Sequence, residues 1–244
     1  MTEHVANFYQ DGILTIQLAR PEKKNALTAA MYAEVAKQLK RANDDEEIRA
    51  IIIHGGDDFT AGNDIADFLH QTIDQTSPVL QFLHALADCR KPLIAAVKGV
   101  AVGVGTTMLL HCDFVYAHPE TMFSLPFVKL GLCTEAASSL LLPKMVGRIR
   151  ATEWLLLCEP FGAQTAFENG LLTRVCEDPL AIARATAEQL VRMSPEAIQA
   201  TKALIRTCSQ ENVHDVIDKE AATFARLLKT DAARSAFEAF LAKK

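Results

Sequence analysis

The feature that most narrows the folds open to this chain is a pair of short, wholly apolar runs, Ala50-Ile51-Ile52-Ile53 and Pro92 to Val97, each leading through a glycine-bearing turn toward a helical segment. A strand apolar at every residue is buried on both faces, which points to a largely parallel sheet covered by helices. The neighbouring sequence agrees. Val5 to Gln10 and Ile13 to Ala19 flank Asp11-Gly12, a dipeptide that predicts a β-hairpin. Thr28 can cap a helix reaching about Asn43, with Met31, Val35 and Leu39 on one face and Lys37, Lys40 and Arg41 elsewhere. Pro78 to Cys89 predicts a further helix with Val79, Phe82, Leu83 and Leu86 along a stripe, and Asp113 to Ala117 predicts another strand.

Beyond Arg150 helices dominate: Ala151 to Leu157, Ala163 to Glu168, Pro179 to Met193, Pro195 to Thr207, Val213 to Leu228 and Ala232 to Ala242. The change of pattern predicts an α/β body over 1–180 and a helical extension over 181–244. A chain of 244 residues, 50% of them hydrophobic, can bury a large core.

Several function classes drop out. No apolar run approaches the roughly 18 residues of a membrane span, so no membrane partner is expected. The polar start, Met1-Thr2-Glu3-His4, lacks the order of a secretion signal, and the end, Leu241-Ala242-Lys243-Lys244, is not Ser-Lys-Leu, so a cytoplasmic location is expected. The net charge of −5 gives no general attraction to nucleic acid. The six cysteines, Cys89, Cys112, Cys133, Cys158, Cys176 and Cys208, form no C-x-x-C and read as small buried hydrophobes in a reducing compartment. His111-Cys112-Asp113 points its side chains in different directions, so no metal is expected.

Two turns carry the candidate chemistry. In Phe59-Thr60-Ala61-Gly62-Asn63-Asp64-Ile65 the glycine can bend the chain so that the Asn63 N–H faces a ligand oxygen; the plainer reading is a turn and helix cap, with Asn63 or Asp64 starting a short helix. In Lys98 to Gly105 the third glycine of a dinucleotide loop is missing and no Walker lysine follows, so Gly103 and Gly105 read instead as a close approach to substrate, with Val104 presenting an N–H before an apolar helix, Thr106 to His111. Ser124 to Thr134 reads as irregular. Glu135 is expected to begin a helix to about Val146, where it is either a solvated acid on the helix dipole or a catalytic one. There is no G-x-S-x-G for a serine hydrolase. Two sets of N–H donors and one carboxylate are the parts needed to hold a thioester oxygen as it becomes an enolate and to move a proton at the neighbouring carbon.

Ala61-Gly62-Asn63-Asp64, the run Ala95-Ala96-Val97-Lys98-Gly99-Val100-Ala101-Val102-Gly103-Val104-Gly105, Cys112-Asp113, and Arg20-Pro21 with Asn25-Ala26-Leu27 together resemble the crotonase, or enoyl-CoA hydratase/isomerase, superfamily over essentially the whole chain. The resemblance implies an α/β fold, a crotonase-type spiral of β-β-α units with a C-terminal helical trimerisation extension, and hence homotrimers or pairs of trimers. It implies an oxyanion hole from the N–H groups of Asn63 and Val104, and no cofactor, since coenzyme A is part of the substrate. Hydratases of the family use two glutamates; the matching positions here hold Thr107 and Phe127. Leu130 to Ser139, with Glu135, is similar to the peroxisomal-type Δ3,Δ2-enoyl-CoA isomerases, in which one glutamate at this place shuttles the proton.

The expected substrate contacts are therefore Ala26, Ala61, Gly62, Asp64, Ile65, Gly103 and Phe127, with CoA phosphates at Lys23, Lys24 or a tail lysine of a neighbouring subunit. A dienoyl-CoA isomerase, a weak hydratase, a thioester hydrolase and a non-catalytic acyl-CoA-binding protein stand as alternatives.

Overall fold

The computed structural model describes residues 4–68, 74, 76–207 and 212–242. Cys208 and the closing Lys243 and Lys244 lie outside them. In chain order the strands and helices are β1 (Val5–Gln10), β2 (Ile13–Leu18), α1 (Ala29–Asp44), β3 (Ala50–His54), α2 (Ile65–Phe68), α3 (Pro78–Ala87), β4 (Leu93–Val97), β5 (Val100–Val102), α4 (Val104–Thr107), β6 (Phe114–Ala117), β7 (Met122–Ser124), α5 (Ser138–Val146), α6 (Arg148–Leu157), β8 (Phe161–Gly162), α7 (Ala163–Glu168), β9 (Arg174–Val175), α8 (Pro179–Val191), α9 (Pro195–Thr207), α10 (Val213–Leu228) and α11 (Asp231–Leu241).

The main sheet runs in the order β1-β2-β3-β4-β6-β9, parallel except for the β1-β2 hairpin. That hairpin turns on Asp11 and Gly12, both at positive φ (51° and 79°), as a two-residue primed turn requires. The apolar strands are explained by what covers each face. Ile51, Ile53, Ala95 and Val97 point into the large core with α1 and α3, while Ile52, Ile94 and Tyr116 pack on Ala183 and Ala187 of α8.

A second sheet, β5-β7-β8, begins within the glycine-rich run, whose residues Val100 to Val102 form β5. Its strands were not legible in the sequence. The predicted helix over 106–111 begins earlier, at Val104, and tightens into a 3-10 turn over Met108–His111. The expected irregular segment 124–134 holds the end of β7 and a 3-10 turn, Val128–Leu130.

The tail folds back on its own chain. Buried Ile217, Glu220 and Phe224 of α10, and Ala233 and Phe237 of α11, face the core. Gly131, at φ 72°, accepts the start of α11 so closely that a Cβ there would stand 2.8 Å from the Ala233 nitrogen. Among the described residues no helix is long and apolar enough to cross a membrane, no group of three His, Cys, Asp or Glu side chains is placed to hold a metal ion, and five cysteines are free.

Candidate active site

The two glycine-bearing turns lie side by side. Phe59 N–H donates to the Lys98 carbonyl (2.8 Å), Thr60 N–H to Val100 (3.0 Å) and Val102 N–H to Thr60 (3.0 Å). Gly62 sits at φ 86°, and a Cβ there would stand 2.7 Å from the Val102 carbonyl oxygen, so only glycine allows this approach. Gly103, at φ 56° and ψ −117°, delivers Val104 as the first residue of α4, where a helix leaves its N–H groups without internal acceptors. On the far side Leu27 N–H donates to Gly62 (2.7 Å) and Asp64 N–H to Leu27 (2.9 Å), which occupies the neighbours of Asn63 and spares Asn63 itself. Among the described residues the N–H groups of Asn63 and Val104 have no acceptor in the chain, and both residues line one cavity of about 80 Å³ with Gly103 and Phe127.

The Arg20 to Leu27 segment braces the first turn. Buried Asn25 accepts from the Arg20 N–H (2.7 Å) and donates to the carbonyls of Gly55 (2.7 Å) and Asp58 (2.6 Å). Arg20 donates to Asp64 at 2.6 Å, and the other Asp64 oxygen accepts from the N–H groups of Ala66 (3.1 Å) and Asp67 (3.3 Å), capping α2. Partial burial pushes the Asp64 carboxyl up, but the Arg20 guanidinium and these N–H groups together hold it below the usual range. Tyr32, buried on α1, donates its hydroxyl to Asn63 Oδ1 and so fixes that side chain. Burial, with Glu135 and Asp67 nearby, raises the Tyr32 phenol and keeps it a donor.

Glu135 is not on the surface and does not begin a helix. Its residue is 7% exposed, and α5 starts at Ser138 because Ala136 and Ala137 both take left-handed conformations (φ 61° and 54°). Such conformations cost a non-glycine residue about 1–3 kcal/mol each and persist only where surroundings enforce them. The enforcement is visible: the Glu135 carbonyl accepts from Ser138 N–H (3.1 Å) and Oγ (2.6 Å), and His111 Nε2 bonds the Ala136 carbonyl (2.8 Å). Burial drives the His111 imidazole down to about 4, so the neutral ring donates here. Glu220 of α10 accepts from Ala137 N–H (2.7 Å) and Ser139 N–H (2.9 Å).

The carboxylate itself is held on one side only. Thr107 donates its hydroxyl to Glu135 Oε1, and Oε2 is buried with no partner among the described residues. Burial pushes Glu135 up to about 8, against the lowering by Thr107 and with a smaller raising contribution from the Glu220 charge. Glu135 lines a small cavity with Asn63, Leu80, Leu83 and Phe224. Asn63 and Phe224 also line the cavity that holds Val104. No other ionisable acid lines either one among the described residues.

Of the expected contacts, Ala61, Gly62, Ile65, Gly103 and Phe127 line the cavity beside Asn63 and Val104. Lys23 and Lys24 are exposed; Lys24 Nζ stands 3.8 Å from Asp58, and its carbonyl accepts from Ala61 N–H (2.8 Å). Ala26 closes the Lys23 turn, its N–H donating to the Lys23 carbonyl (3.0 Å). Sequence reasoning missed Tyr32, His111, Glu220 and Phe224, and it gave Thr107 no role. For Glu220 a signal existed: it falls on the same face of α10 as Ile217 and Phe224, an acid inside an apolar stripe.

Residues 9–244 match the family model described as Enoyl-CoA hydratase/isomerase. The structure resembles that of OdaA from Pseudomonas aeruginosa with a TM-score of 0.95 and 41% identity, over 98% of this chain and 99% of that one. The chain is 35% identical to 1,2-epoxyphenylacetyl-CoA isomerase of Escherichia coli strain K12, over 79% of this chain and 76% of that protein. It is 32% identical to enoyl-CoA delta isomerase 2 of Rattus norvegicus over 96% of its own length, and spans 62% of that longer relative.

Proposed function

Because this chain belongs to the enoyl-CoA hydratase/isomerase family, we propose that it moves the double bond of a 3-enoyl-CoA into conjugation, giving 2-trans-enoyl-CoA. The observation that carries this reading is Glu135, the one ionisable acid among the described residues that lines the cavity it shares with Asn63, with one carboxylate oxygen anchored by Thr107 and the other buried without a partner. Hydration needs a base for water and an acid for carbon; moving a double bond needs one group that takes a proton from C2 and returns it to C4.

In this mechanism the thioester oxygen accepts from the N–H groups of Asn63 and Val104, which stabilise negative charge as it develops. Ionised Glu135 takes a C2 proton, and the C–H electron pair forms C1=C2 while the carbonyl pair moves onto the thioester oxygen to give a dienolate. As the carbonyl re-forms, the double bond shifts to C2=C3 and C4 takes the proton back from the Glu135 carboxylic acid. Product forms with no net gain or loss of atoms. Phe127, Leu132, Phe224 and Phe237 keep water from the dienolate. Ala61, Gly62, Ile65 and Gly103 shape the thioester pocket, Asp64 and Ala26 hold the first turn, and Lys23 or Lys24 meets the CoA phosphates.

The test offers trans-3-hexenoyl-CoA and crotonyl-CoA separately and follows the ultraviolet absorbance of the conjugated thioester. Absorbance rises with the first and stays unchanged with the second. Decay of the second identifies a hydratase, free CoA release a hydrolase, and binding without change in either a non-catalytic acyl-CoA protein.

A further inference from the structure

We propose that Glu220, from the tail helix α10, is a positioning residue that holds the Ala136–Ala137 turn and thereby aims the Glu135 carboxylate into the cavity. The proposal rests on Glu135 as the base of the reaction proposed above, and extends it to a residue that does not touch substrate.

The backbone around Glu135 has a problem that Glu220 solves. Helix α5 begins at Ser138, and its cap position is Ala137, a residue with no side chain able to accept from the first N–H groups. Ala136 and Ala137 are both left-handed, a run that alanine does not adopt unaided. Glu220 Oε2 accepts from Ala137 N–H at 2.7 Å and Oε1 from Ser139 N–H at 2.9 Å, so one carboxylate from a distant helix does the work of the missing cap. Its side chain is buried with Ile217 and Phe224 on the inner face of α10. Phe224 lies one helical turn from Glu220 and walls the cavity that Glu135 lines. The same helix thus sets the base and closes the pocket.

A second consequence is electrostatic. The Glu220 charge opposes ionisation of Glu135, adding to burial. The ionisable groups around this pair are Cys133, whose Sγ donates to the Glu220 carbonyl at 3.7 Å, His111 beneath Ala136, Tyr32 on α1, Lys144 and Lys219 on the outer groove, and Arg226 on α10. Removing the charge of Glu220 therefore shifts the Glu135 titration downward; because exposing Glu135 to water would lower it too, Glu220→Asp, which keeps the charge, separates the two causes.

The experiment compares the full chain with Glu220→Gln and Glu220→Asp, each checked for a cooperative melt. Turnover and KM on trans-3-hexenoyl-CoA are followed from mildly acidic to alkaline pH. The Glu135 carboxyl is titrated by carbon NMR in labelled protein, its resonance assigned by its loss in Glu135→Gln. Glu220→Gln is expected to lose about tenfold or more in turnover with KM little changed, and to lower the Glu135 midpoint. Glu220→Asp, which keeps the charge and shortens the reach, is expected to lose turnover while holding the midpoint closer to that of the parent. Unchanged turnover, or an unmoved midpoint in Glu220→Gln, overturns the proposal.

Should both variants fail to fold, amide exchange in the parent decides: the Ala137 and Ser139 amides are expected to be protected like core amides, and free exchange at both overturns it. If the parent is inert toward 3-hexenoyl-CoA, the isomerase reading fails by itself, and the titration and exchange results still decide whether Glu220 sets Glu135.

Discussion

Thr107 donates its hydroxyl to Oε1 of Glu135, joining helix α4, which follows the second glycine-bearing turn, to the one acid that lines the cavity among the described residues. This bond favours the ionised carboxylate and so opposes the effect of burial, which dominates and raises Glu135 to about 8. Replacing Thr107 by Val keeps the shape and deletes the donor. A hydrogen bond to a charged group is worth about 1.5–3 kcal/mol, or about one to two pH units. Thr107→Val should therefore move the rising limb of the pH–rate profile upward and slow turnover at neutral pH, and Thr107→Ser should restore both. An unmoved limb in Thr107→Val would remove the hydroxyl from the chemistry.

Glu135→Gln should abolish most turnover, a loss of about 10²- to 10⁴-fold, with acyl-CoA binding intact by calorimetry. Near-normal turnover in this variant excludes Glu135 as the base.

The same substitution has a stability signature. The folded-state midpoint of Glu135, about 8, lies above the ordinary carboxyl value of 4.5. Between these two values the folded protein keeps a proton that the unfolded chain releases, so stability falls as pH rises through that window. Buried Glu220, also raised, acts in the same direction. Glu135→Gln should therefore match the parent in thermal midpoint near pH 4.5 and exceed it above pH 8. A parent at least as stable as the variant at alkaline pH contradicts the raised titration.

The frame was legible because it is built from local rules. The Asp11-Gly12 hairpin, the Thr28 cap, the twice-buried strands β3 and β4 and the amphipathic tail helices all follow from residue type and spacing. The two glycine-bearing turns were legible for the same reason, since Gly62 and Gly103 mark backbone that other residues cannot adopt. What stayed hidden depends on distant partners. The short strands β5, β7, β8 and β9 offer too few residues for a period, and the placement of Glu135 depends on Ala136 and Ala137 going left-handed, which nothing in their own composition suggests. The cause lies far along the chain at Glu220 and His111. The expected helix start at Glu135 failed for that reason: a local pattern cannot report a backbone held from outside.

Gly62 and Gly56 separate close approach from strain alone. Both have positive φ (86° and 76°), but a Cβ at Gly62 would stand 2.7 Å from the Val102 carbonyl oxygen, and one at Gly56 would meet nothing within 4 Å. Gly56→Ala should cost about 1 kcal/mol from backbone strain and leave turnover unchanged. Gly62→Ala should destabilise by more in urea and also reduce turnover, because relieving the clash separates Asn63 from Val104. Equal turnover in the two variants contradicts the shared wall.

Val104 tests whether the backbone and not the side chain serves the thioester. It is the first residue of α4, the position where proline best fits a helix, because a first helical residue takes a φ near that of proline and its N–H has no acceptor in the helix. Val104→Pro removes the donor and should cost about 10²- to 10³-fold in turnover, as loss of an oxyanion donor does. Val104→Ala keeps the N–H while emptying a buried site, 1% exposed in the parent, so it should lower the melting midpoint and leave turnover within about threefold, far from the loss of a donor. Circular dichroism first confirms that both variants keep the parent helix content, and steady-state rates on trans-3-hexenoyl-CoA are then compared. Matching losses in the two variants place the contribution in the valine side chain; a large loss confined to Val104→Pro places it in the main-chain N–H beside Asn63.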